Sequence, residues 1–388
     1  EFYTPTRVIF GVGSLEKLPE AVGRCGAKRV FVIYGGQSAK KSGTLDRVEA
    51  LLTGAGIAFA AIGGVKPNPR LGLAREAIRE AIAFGADLIL AVGGGSVIDT
   101  AKATAHGTAN PEADIWDIWM GKVKLEKSLP VGVVLTIPAA GSEMSDSAVL
   151  TDEAALAKRG LNTDLNRPAF ALMDPSLAAT LPARQAACGV TDIMMHTLER
   201  YVNPLENDMT DEIAEALLRV VIRHGEAVVK NPSNIDAMSE IMWAGSLSHN
   251  NLTGLGGKKD FSVHQFGQAI GEKFDIYHGE TLSAMWASYA RYVAPTNFAR
   301  FARYARNVWG VEEADDEKAA VAGIDATEAY FKRLGMPVRI AELSCGVQDE
   351  AGLYDLALRC SRNRGRTIGS FRVLDFEDML NVYQMANK

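Results

Sequence analysis

Cysteine is scarce in this sequence: only four occur among 388 residues, and they lie far apart without forming a CxxC pair. That spacing argues against a cysteine-based structural zinc site and indicates reduced thiols, so we expect a cytoplasmic protein. The sequence also has no apolar run of the roughly 18–20 residues that a bilayer-spanning helix needs, and no secretory leader is expected. A net charge of −6 argues against a nucleic acid or an anionic membrane as the main partner.

The length and composition indicate a globular protein with two domains, because 388 residues are too many for one ordinary core. Over roughly the first 150 residues, short apolar runs alternate with helical patterns. Strands are predicted at 29–34, 57–62, 87–92 and 131–137, and helices at 45–53 and 71–84. Such alternation predicts a parallel sheet with helices on both faces, as in Rossmann-like α/β domains.

The second half has a different pattern, in which long amphipathic segments replace the strands. Helices are predicted at 182–202, 208–230, 235–250, 263–273, 280–293, 297–309 and 316–334. The change of pattern falls between Pro175 and Pro182. We therefore predict an α/β domain over residues 1–178 and an all-helical domain over residues 179–388.

A glycine-rich turn follows one of the predicted strands. Gly93, Gly94, Gly95 and Ser96 come directly after the strand at 87–92 and open a helix. Glycines at such a turn let the backbone approach a phosphate closely, and the helix N-terminus offers free N–H groups to it. The turn lacks the GxGxxG spacing of the standard dinucleotide fingerprint. A nucleotide site and a tight turn without a ligand therefore both stay open.

Two other segments follow predicted strands of the same sheet, residues 34–41 and residues 136–143. The ends of these strands would line the same nucleotide site as the glycine-rich turn. The first of these segments contains Ser38, Lys40 and Lys41 but no acidic residue. A site for NAD usually places an acidic side chain on the ribose hydroxyl groups, whereas small and basic residues suit a 2′-phosphate. The sequence therefore predicts NADP(H) rather than NAD(H).

Three of the six histidines belong to a candidate metal site. Asp192 and His196 lie four residues apart in a predicted helix and share one of its faces. His264 begins another predicted helix, and His278 is predicted to lie in the loop before Gly279. One carboxylate and three imidazoles suit a divalent ion such as Fe(II), Zn(II), Ni(II) or Co(II), and spacing alone leaves both this site and ordinary packing open. The other histidines are interpreted as packing or surface residues: His106, His224 and His249.

Taken together, these motifs resemble the iron-containing (group III) alcohol dehydrogenases, and among them the branch of butanol dehydrogenases and NADPH-dependent aldehyde reductases. The resemblance runs nearly from end to end, whereas the glycine-rich turn alone would be unspecific. It is carried by segments 3–13, 67–69, 93–102, 136–143, 170–175 and 181–202, and by His264 and His278-Gly279.

The resemblance implies the dehydroquinate synthase-like fold of that family, with a dinucleotide-binding domain, a helical metal-binding domain and an active site in the cleft between them. It implies one divalent ion, Fe(II) or Zn(II), held by Asp192, His196, His264 and His278, and a homodimer formed through the N-terminal strand segment 2–10. Cofactor contacts are implied at Gly35, Gly36, Ser38, Gly94, Gly95, Ser96, Asp99, Thr136 and Ser142, with Lys158 as a weaker candidate.

The implied function is reversible hydride transfer between NADP(H) and small primary alcohols or aldehydes of the butanol and butanal type, with the ion as a Lewis acid.

Candidate pocket residues lie at 144–150 and 246–256, among them Met144, Asn250, Asn251 and Leu252, although ordinary packing is the simpler interpretation of each. Three alternatives stay open: an NAD-dependent polyol dehydrogenase of the glycerol type, a dehydroquinate-synthase-like lyase, and a non-catalytic nucleotide-binding relative.

One position departs from the family pattern. Many members have a histidine four residues after the third ligand, where this sequence has Gln268. A glutamine cannot act as a general acid at neutral pH, so either water and ribose hydroxyl groups move the proton or the activity is tuned differently. No catalytic residue beyond the metal ligands is predicted.

Overall fold

Six parallel strands form the sheet of an α/β unit, and two further strands form an antiparallel hairpin. The computed structural model describes residues 1–155 and 157–388. The strands are β1 (Arg7–Phe10), β2 (Arg29–Tyr34), β3 (Ala58–Ile62), β4 (Leu88–Gly93), β5 (Val131–Leu135), β6 (Ser147–Asp152), β7 (Ala157–Asn162) and β8 (Phe170–Met173). The order across the sheet is β1-β8-β5-β4-β2-β3, and β6 pairs with β7. The predicted parallel sheet is confirmed, and β1 lies within the N-terminal strand segment 2–10 that the resemblance implies, whereas β8 and the hairpin were not predicted.

The central strands are buried on both faces. Val30 and Val32 of β2 belong to one hydrophobic cluster, whereas Phe31 and Ile33, which point to the opposite face because side chains alternate along a strand, are also almost fully buried. Every residue of β4 is buried as well. Helices must therefore cover both faces, and this explains why these strands appear in the sequence as continuous apolar runs.

Helices also occur in this part of the chain, and those predicted at 45–53 and 71–84 are confirmed. The helices are α1 (Leu18–Arg24), α2 (Ser38–Lys41), α3 (Thr44–Gly54), α4 (Leu71–Phe84), α5 (Gly95–Ala109) and α6 (Ile115–Trp119). Helix α5 follows β4 directly through the glycine-rich turn, so its N-terminus lies at the carboxyl end of a central strand.

The second half of the chain is helical, as predicted. Its helices are α7 (Ala183–Tyr201), α8 (Asp208–Lys230), α9 (Ile235–His249), α10 (Ser262–Phe274), α11 (His278–Val293), α12 (Phe298–Trp309), α13 (Asp316–Arg333), α14 (Glu350–Cys360) and α15 (Phe376–Ala386). Helices α14 and α15 were not predicted. None of the helices within residues 1–155 and 157–388 combines the length and the apolar character needed to cross a bilayer.

The chain divides into two compact units. The α/β unit comprises residues 3–181 and 232–246, and the helical unit comprises residues 1–2, 182–231 and 247–388. The first part of α9 therefore packs with the α/β unit, although it lies well beyond residue 178 in the sequence. The predicted limits of 1–178 and 179–388 describe each domain as one continuous segment and stay a prediction.

Candidate functional site

The four candidate metal ligands come together in the helical unit. Asp192 and His196 lie one turn apart on α7, His264 lies in the first turn of α10, and His278 is the first residue of α11. The Oδ1 atom of Asp192 lies 3.7 Å from Nε2 of His196, 3.5 Å from Nε2 of His264 and 3.9 Å from Nε2 of His278. When nitrogen and oxygen donors each lie about 2.0–2.2 Å from one ion, the distances between the donors are similar to those seen here. These four groups can therefore surround one ion.

Burial and hydrogen bonding test whether an ion fits this cluster. Asp192 and His196 are 5% and 4% exposed. Within the described part of the chain, Oδ1 of Asp192 and Nε2 of His264 are buried without a hydrogen-bond partner. Buried polar atoms in native proteins nearly always have one, and a shared cation would satisfy both atoms. One carboxylate oxygen and three imidazole nitrogens suit Fe(II) or Zn(II), so the residues present fit a divalent metal.

A close approach of two helices brings His278 to the cluster. A Cβ atom at Gly279 would lie 2.6 Å from both Cα and the carbonyl oxygen of Cys188 on α7, which is closer than Cβ atoms approach other atoms. Glycine therefore lets α11 begin against the backbone of α7, one turn before Asp192. The sequence prediction that His278 lies in a loop was wrong, because α11 starts at His278 itself, two residues earlier than predicted.

The ligand side chains have different electrostatic surroundings. Burial, reinforced by the neighbouring rings of His249 and His264, holds the pKa of His196 well below its usual value, so its imidazole is neutral. Burial acts in the same sense on His264, but the charges of Glu199 and Asp192 outweigh it and raise its pKa to about 9. Burial also raises the pKa of Glu199. The two raised pKa values both favour a proton retained between Glu199 and Nδ1 of His264.

Sequence reasoning missed several groups around the ligands. Glu199 accepts a hydrogen bond from Nδ1 of His264, and its place one and two turns after His196 and Asp192 on the same helix was an available signal. His249, interpreted as a packing or surface residue, lies with its ring centroid 4.0 Å from that of His196. Its Nδ1 atom is 2.9 Å from Nη2 of Arg200. A guanidinium has only donors, so Nδ1 of His249 accepts and its proton lies on Nε2.

Gln268 lies one turn after His264 on α10, at the position of the family histidine. Its Nε2 atom donates to Oε1 of Glu272 at 3.0 Å. The side chain therefore has a partner on its own helix, in the i, i+4 arrangement that helices favour.

The glycine-rich turn belongs to the α/β unit. Gly94 is the N-cap of α5 in an extended conformation, and its side-chain position is closed: a Cβ atom there would lie 2.8 Å from Cβ of Ile137. A Cβ atom at Gly95 would lie 3.2 Å from Cβ of Ala140. As the N-cap, Gly94 has no side chain that could accept from the first turn. The N–H groups at the start of a helix have no partner within the helix, so those of Gly95 and Ser96 suit phosphate binding.

Two of the predicted cofactor residues hold each other in place. One carboxylate oxygen of Asp99 accepts from the hydroxyl of Ser142 at 2.6 Å, and the other accepts from the backbone N–H of Val149 at 2.9 Å. Nζ of Lys102 donates to the same hydroxyl oxygen at 2.8 Å and to the carbonyl of Ser147 at 2.7 Å. Burial lowers the pKa of Lys102 to about 8 despite the nearby carboxylates. Lys102, which sequence reasoning missed, thus anchors the segment after β5 to α5.

The remaining predicted cofactor residues lie at strand ends or on the hairpin. Gly35 and Gly36 follow β2, and Ser38 is the exposed first residue of α2. Thr136 follows β5, and its N–H donates to the carbonyl of Gly93 at 3.1 Å. Lys158 is a buried residue of β7 whose Nζ donates to Oδ1 of Asn68 at 3.1 Å.

Two of the candidate pocket residues, Met144 and Asn250, are buried, and a third, Asn251, has an unusual backbone conformation. Met144 is 6% exposed and lies in the α/β unit. Asn250 is 2% exposed, and its Oδ1 accepts from the N–H of Leu252 at 3.0 Å. Asn251 has a left-handed backbone with φ of 79°. A role of these residues in binding substrate stays a prediction.

Comparisons with known proteins match both halves of the chain. Residues 5–175 match the family described as iron-containing alcohol dehydrogenase, and residues 185–387 match the C-terminal domain of the Fe-containing alcohol dehydrogenase family. The chain is 36% identical to NADH-dependent butanol dehydrogenase A of Clostridium acetobutylicum, over 100% of this chain and 99% of that protein. It is 34% identical to the NADPH-dependent aldehyde reductase YqhD of Escherichia coli, over 88% of each chain.

Solved structures show the same fold. The crystal structure of NADH-dependent butanol dehydrogenase A from Thermotoga maritima has a TM-score of 0.95 and 32% identity, covering 100% of this chain and 98% of that one. The crystal structure of YqhD from Escherichia coli has a TM-score of 0.94 and 32% identity, with the same coverage. Likeness of this extent confirms the predicted fold class.

Proposed function

Because this chain belongs to the iron-containing alcohol dehydrogenase family, it is an oxidoreductase of alcohols and aldehydes, and we propose that it transfers hydride reversibly between NADP(H) and small primary alcohols or aldehydes of the butanol and butanal type. The observation that supports this most directly is the cluster in which one oxygen of Asp192 faces Nε2 of His196, His264 and His278 within 4 Å. The family match leaves no support for the lyase alternative.

Asp192, His196, His264 and His278 would hold one divalent ion, Fe(II) or Zn(II). When bound, the ion supplies a Lewis acid for the substrate oxygen, and the nicotinamide supplies or accepts the hydride. The chain's own contribution is to keep the imidazole of His196 neutral and both α7 ligands almost fully buried. Gln268 cannot supply a proton, so water and the ribose hydroxyl groups would carry it.

The proposed nucleotide site is formed by the strand ends of the α/β unit. The N–H groups of Gly95 and Ser96 would bind the pyrophosphate at the start of α5. Gly35, Gly36, Ser38, Gly94, Asp99, Thr136, Ser142 and Lys158 stay candidates from the family resemblance. For Asp99 and Ser142 the hydrogen bonds described above support a positioning role, because both oxygens of Asp99 are already bonded within the protein.

The preference for NADP(H) is supported by charge. Ser38, Lys40 and Lys41 are exposed at the end of β2, and segment 35–41 contains no acidic side chain that would repel a 2′-phosphate. The relatives include proteins named as NADH-dependent and one named as NADPH-dependent, so the preference has to be measured.

We also propose a cytoplasmic homodimer formed through segment 2–10. Strand β1 is the outermost strand of the sheet, and Phe2, Tyr3 and Phe10 are 43%, 48% and 43% exposed. Open strand edges with apolar side chains pair readily with a second chain. A monomer in sedimentation experiments at micromolar concentration would contradict this assignment.

The proposed function is tested by removing one ligand. His264→Ala should lose bound metal and aldehyde reduction together, because it removes one of the four donors. His224→Ala is the matched control, since His224 is a partly exposed residue of α8 outside the cluster, and it should retain both properties. Near-normal turnover by a metal-free His264→Ala protein would refute the proposal.

A further inference from the structure

Glu199 is a fully buried carboxylate that is not one of the metal ligands. It lies on α7, three residues after His196 and seven residues after Asp192, so the three side chains share one face of the helix. Its exposed fraction is 0%. Burying a carboxylate is costly unless its oxygen atoms are well bonded, so the contacts of those oxygens indicate what the residue does.

The two carboxylate oxygens of Glu199 contact different parts of α10. Oε2 accepts from Nδ1 of the His264 ring. Oε1 accepts from the backbone N–H of Val263 at 2.5 Å and of His264 at 3.2 Å. The N-cap residue of α10, Phe261, makes no capping hydrogen bond with its side chain. Glu199 therefore caps this helix from α7 and binds the ring of a ligand on the same helix.

The turn before α10 is strained and is held on both sides. Phe261 has φ of 54°, in the left-handed region that a bulky residue rarely adopts. The residue before it, Asp260, donates its N–H to the carbonyl of Glu199 at 2.8 Å. The carboxylate of Asp260 accepts from the N–H of Ser262 at 3.0 Å and from the hydroxyl of Tyr289 at 2.6 Å. The backbone at the start of α10 is thereby fixed to α7 and α11.

We propose that Glu199 is a positioning residue that sets the third metal ligand. By accepting a hydrogen bond from the Nδ1–H group of His264, it keeps Nδ1 as the donor, so that Nε2, 3.5 Å from Oδ1 of Asp192, is the ring atom left to bind the ion. A ligating histidine needs this tautomer, and outer carboxylates that fix it commonly tune metal sites. The inference rests on the metal site of the proposed function and assigns it a group that does not touch the ion.

If Glu199 only capped α10, its replacement would leave the metal affinity unchanged, whereas a positioning role predicts weaker metal binding. A measurement of metal affinity therefore separates the two roles. The probe is Zn²⁺ alone, added to metal-free protein in competition with a chelating dye. Glu199→Gln keeps an acceptor oxygen for the start of α10 but removes the charge opposite Nδ1. We expect it to bind zinc about 10–100-fold more weakly than the unmodified protein.

Glu215→Gln is the matched control. Glu215 is 1% exposed on α8 and accepts from the hydroxyl of Tyr201 at 2.8 Å and from Nε of Arg303 at 3.0 Å. This variant also removes a buried carboxylate, but one whose hydrogen bonds go to Tyr201, Arg303 and Asn307 and not to a metal ligand. We therefore expect its zinc affinity to equal that of the unmodified protein. An equal loss of affinity in both variants would overturn the proposal, because the effect would then be general to buried carboxylates.

Unchanged zinc affinity in Glu199→Gln would also overturn the proposal while leaving the metal site intact. Absence of zinc binding by the unmodified protein would instead overturn the metal site and, with it, this inference. If Glu199→Gln does not fold, Glu199→Asp decides, since it retains the charge and withdraws the carboxylate by one methylene group. Weaker zinc binding by folded Glu199→Asp supports the positioning role, and unchanged binding refutes it.

Discussion

Acidification should destabilise the α/β unit through one buried histidine, His106. This residue of α5 is fully buried, with Nδ1 2.8 Å from the hydroxyl oxygen of Ser128 and Nε2 2.8 Å from Oδ1 of Asn166. The amide nitrogen of Asn166 donates to the carbonyls of Asp146 and Leu161. Its Oδ1 therefore faces His106 as an acceptor, and the proton of the neutral ring lies on Nε2.

The size of the effect follows from the difference in pKa between the folded and unfolded states. Burial lowers the pKa of His106 to about 4, against 6.5 for an unperturbed histidine. Between these two values the unfolded chain binds a proton that the folded chain does not, so this contribution is present above pH 6.5 and is lost as the pH falls towards 4. The loss amounts to about 2 kcal/mol between pH 7 and pH 5, and approaches roughly 3 kcal/mol below pH 4.

The assay is urea unfolding at pH 7 and pH 5, followed by tryptophan fluorescence, because the Trp119 ring centroid lies 5.9 Å from that of His106. The comparison is with His106→Gln, which places an amide nitrogen near the Nε2 position and does not titrate. The free energy of unfolding should fall by about 2 kcal/mol more in the unmodified protein than in the variant. Parallel pH dependences, or titration of His106 near pH 6.5 by NMR, would refute the reasoning.

Two further predictions concern the cofactor and the helical unit. Activity should be higher with NADPH than with NADH at equal low concentrations, and Lys40→Ala/Lys41→Ala should weaken NADPH use roughly tenfold while sparing NADH; a clear preference for NADH would contradict this. Arg300→Ala should cost about 3–5 kcal/mol of unfolding free energy, because Arg300 is 4% exposed and binds Asp211 through two nitrogens at 2.5 and 2.6 Å. Arg333→Ala, at an ion pair on the surface, should cost less than about 1 kcal/mol, and similar losses in both would show that burial is not decisive.

Strong local signals explain which elements could be predicted from the sequence. Strand β2 is buried on both faces, so its apolar run was visible at residues 29–34, and α8 was predicted at its observed limits of 208–230. Strands β1 and β8 have only four residues each, too few for a pattern to stand out, so β8 was missed and β1 was expected only from the family resemblance. Helices α14 and α15 were overlooked although both begin at an aspartate cap, Asp349 and Asp375, which is a readable signal.

For the metal site, sequence spacing could connect some of the ligands but not all of them. The pairing of Asp192 with His196 follows from their spacing on one helix, whereas no local rule connects them to His264 or His278. Those two histidines were candidates by ligand type alone, and the family resemblance implied that all four residues share one ion. The left-handed backbone of Phe261 has no sequence signature, since bulky residues seldom adopt it. The start of α11 at His278 also escaped prediction, because Gly279 suggested a loop when its actual role is close packing against Cys188.

Resemblance transfers a residue's position more reliably than its role, and Asp99 shows why. Its place in the second turn of α5, behind the glycine-rich turn, is where the resemblance implies a cofactor contact, yet its two oxygens bond Ser142 and Val149 at 2.6 and 2.9 Å. A carboxylate that turned towards a ribose hydroxyl would have to give up one of these bonds in a buried setting, where an unsatisfied partner costs about 1–3 kcal/mol. If Asp99 instead only holds Ser142 in place, both of its hydrogen bonds are kept. These hydrogen bonds therefore favour Asp99 as a group that holds Ser142 in place, and we expect a nucleotide to be bound by backbone N–H groups and exposed side chains instead.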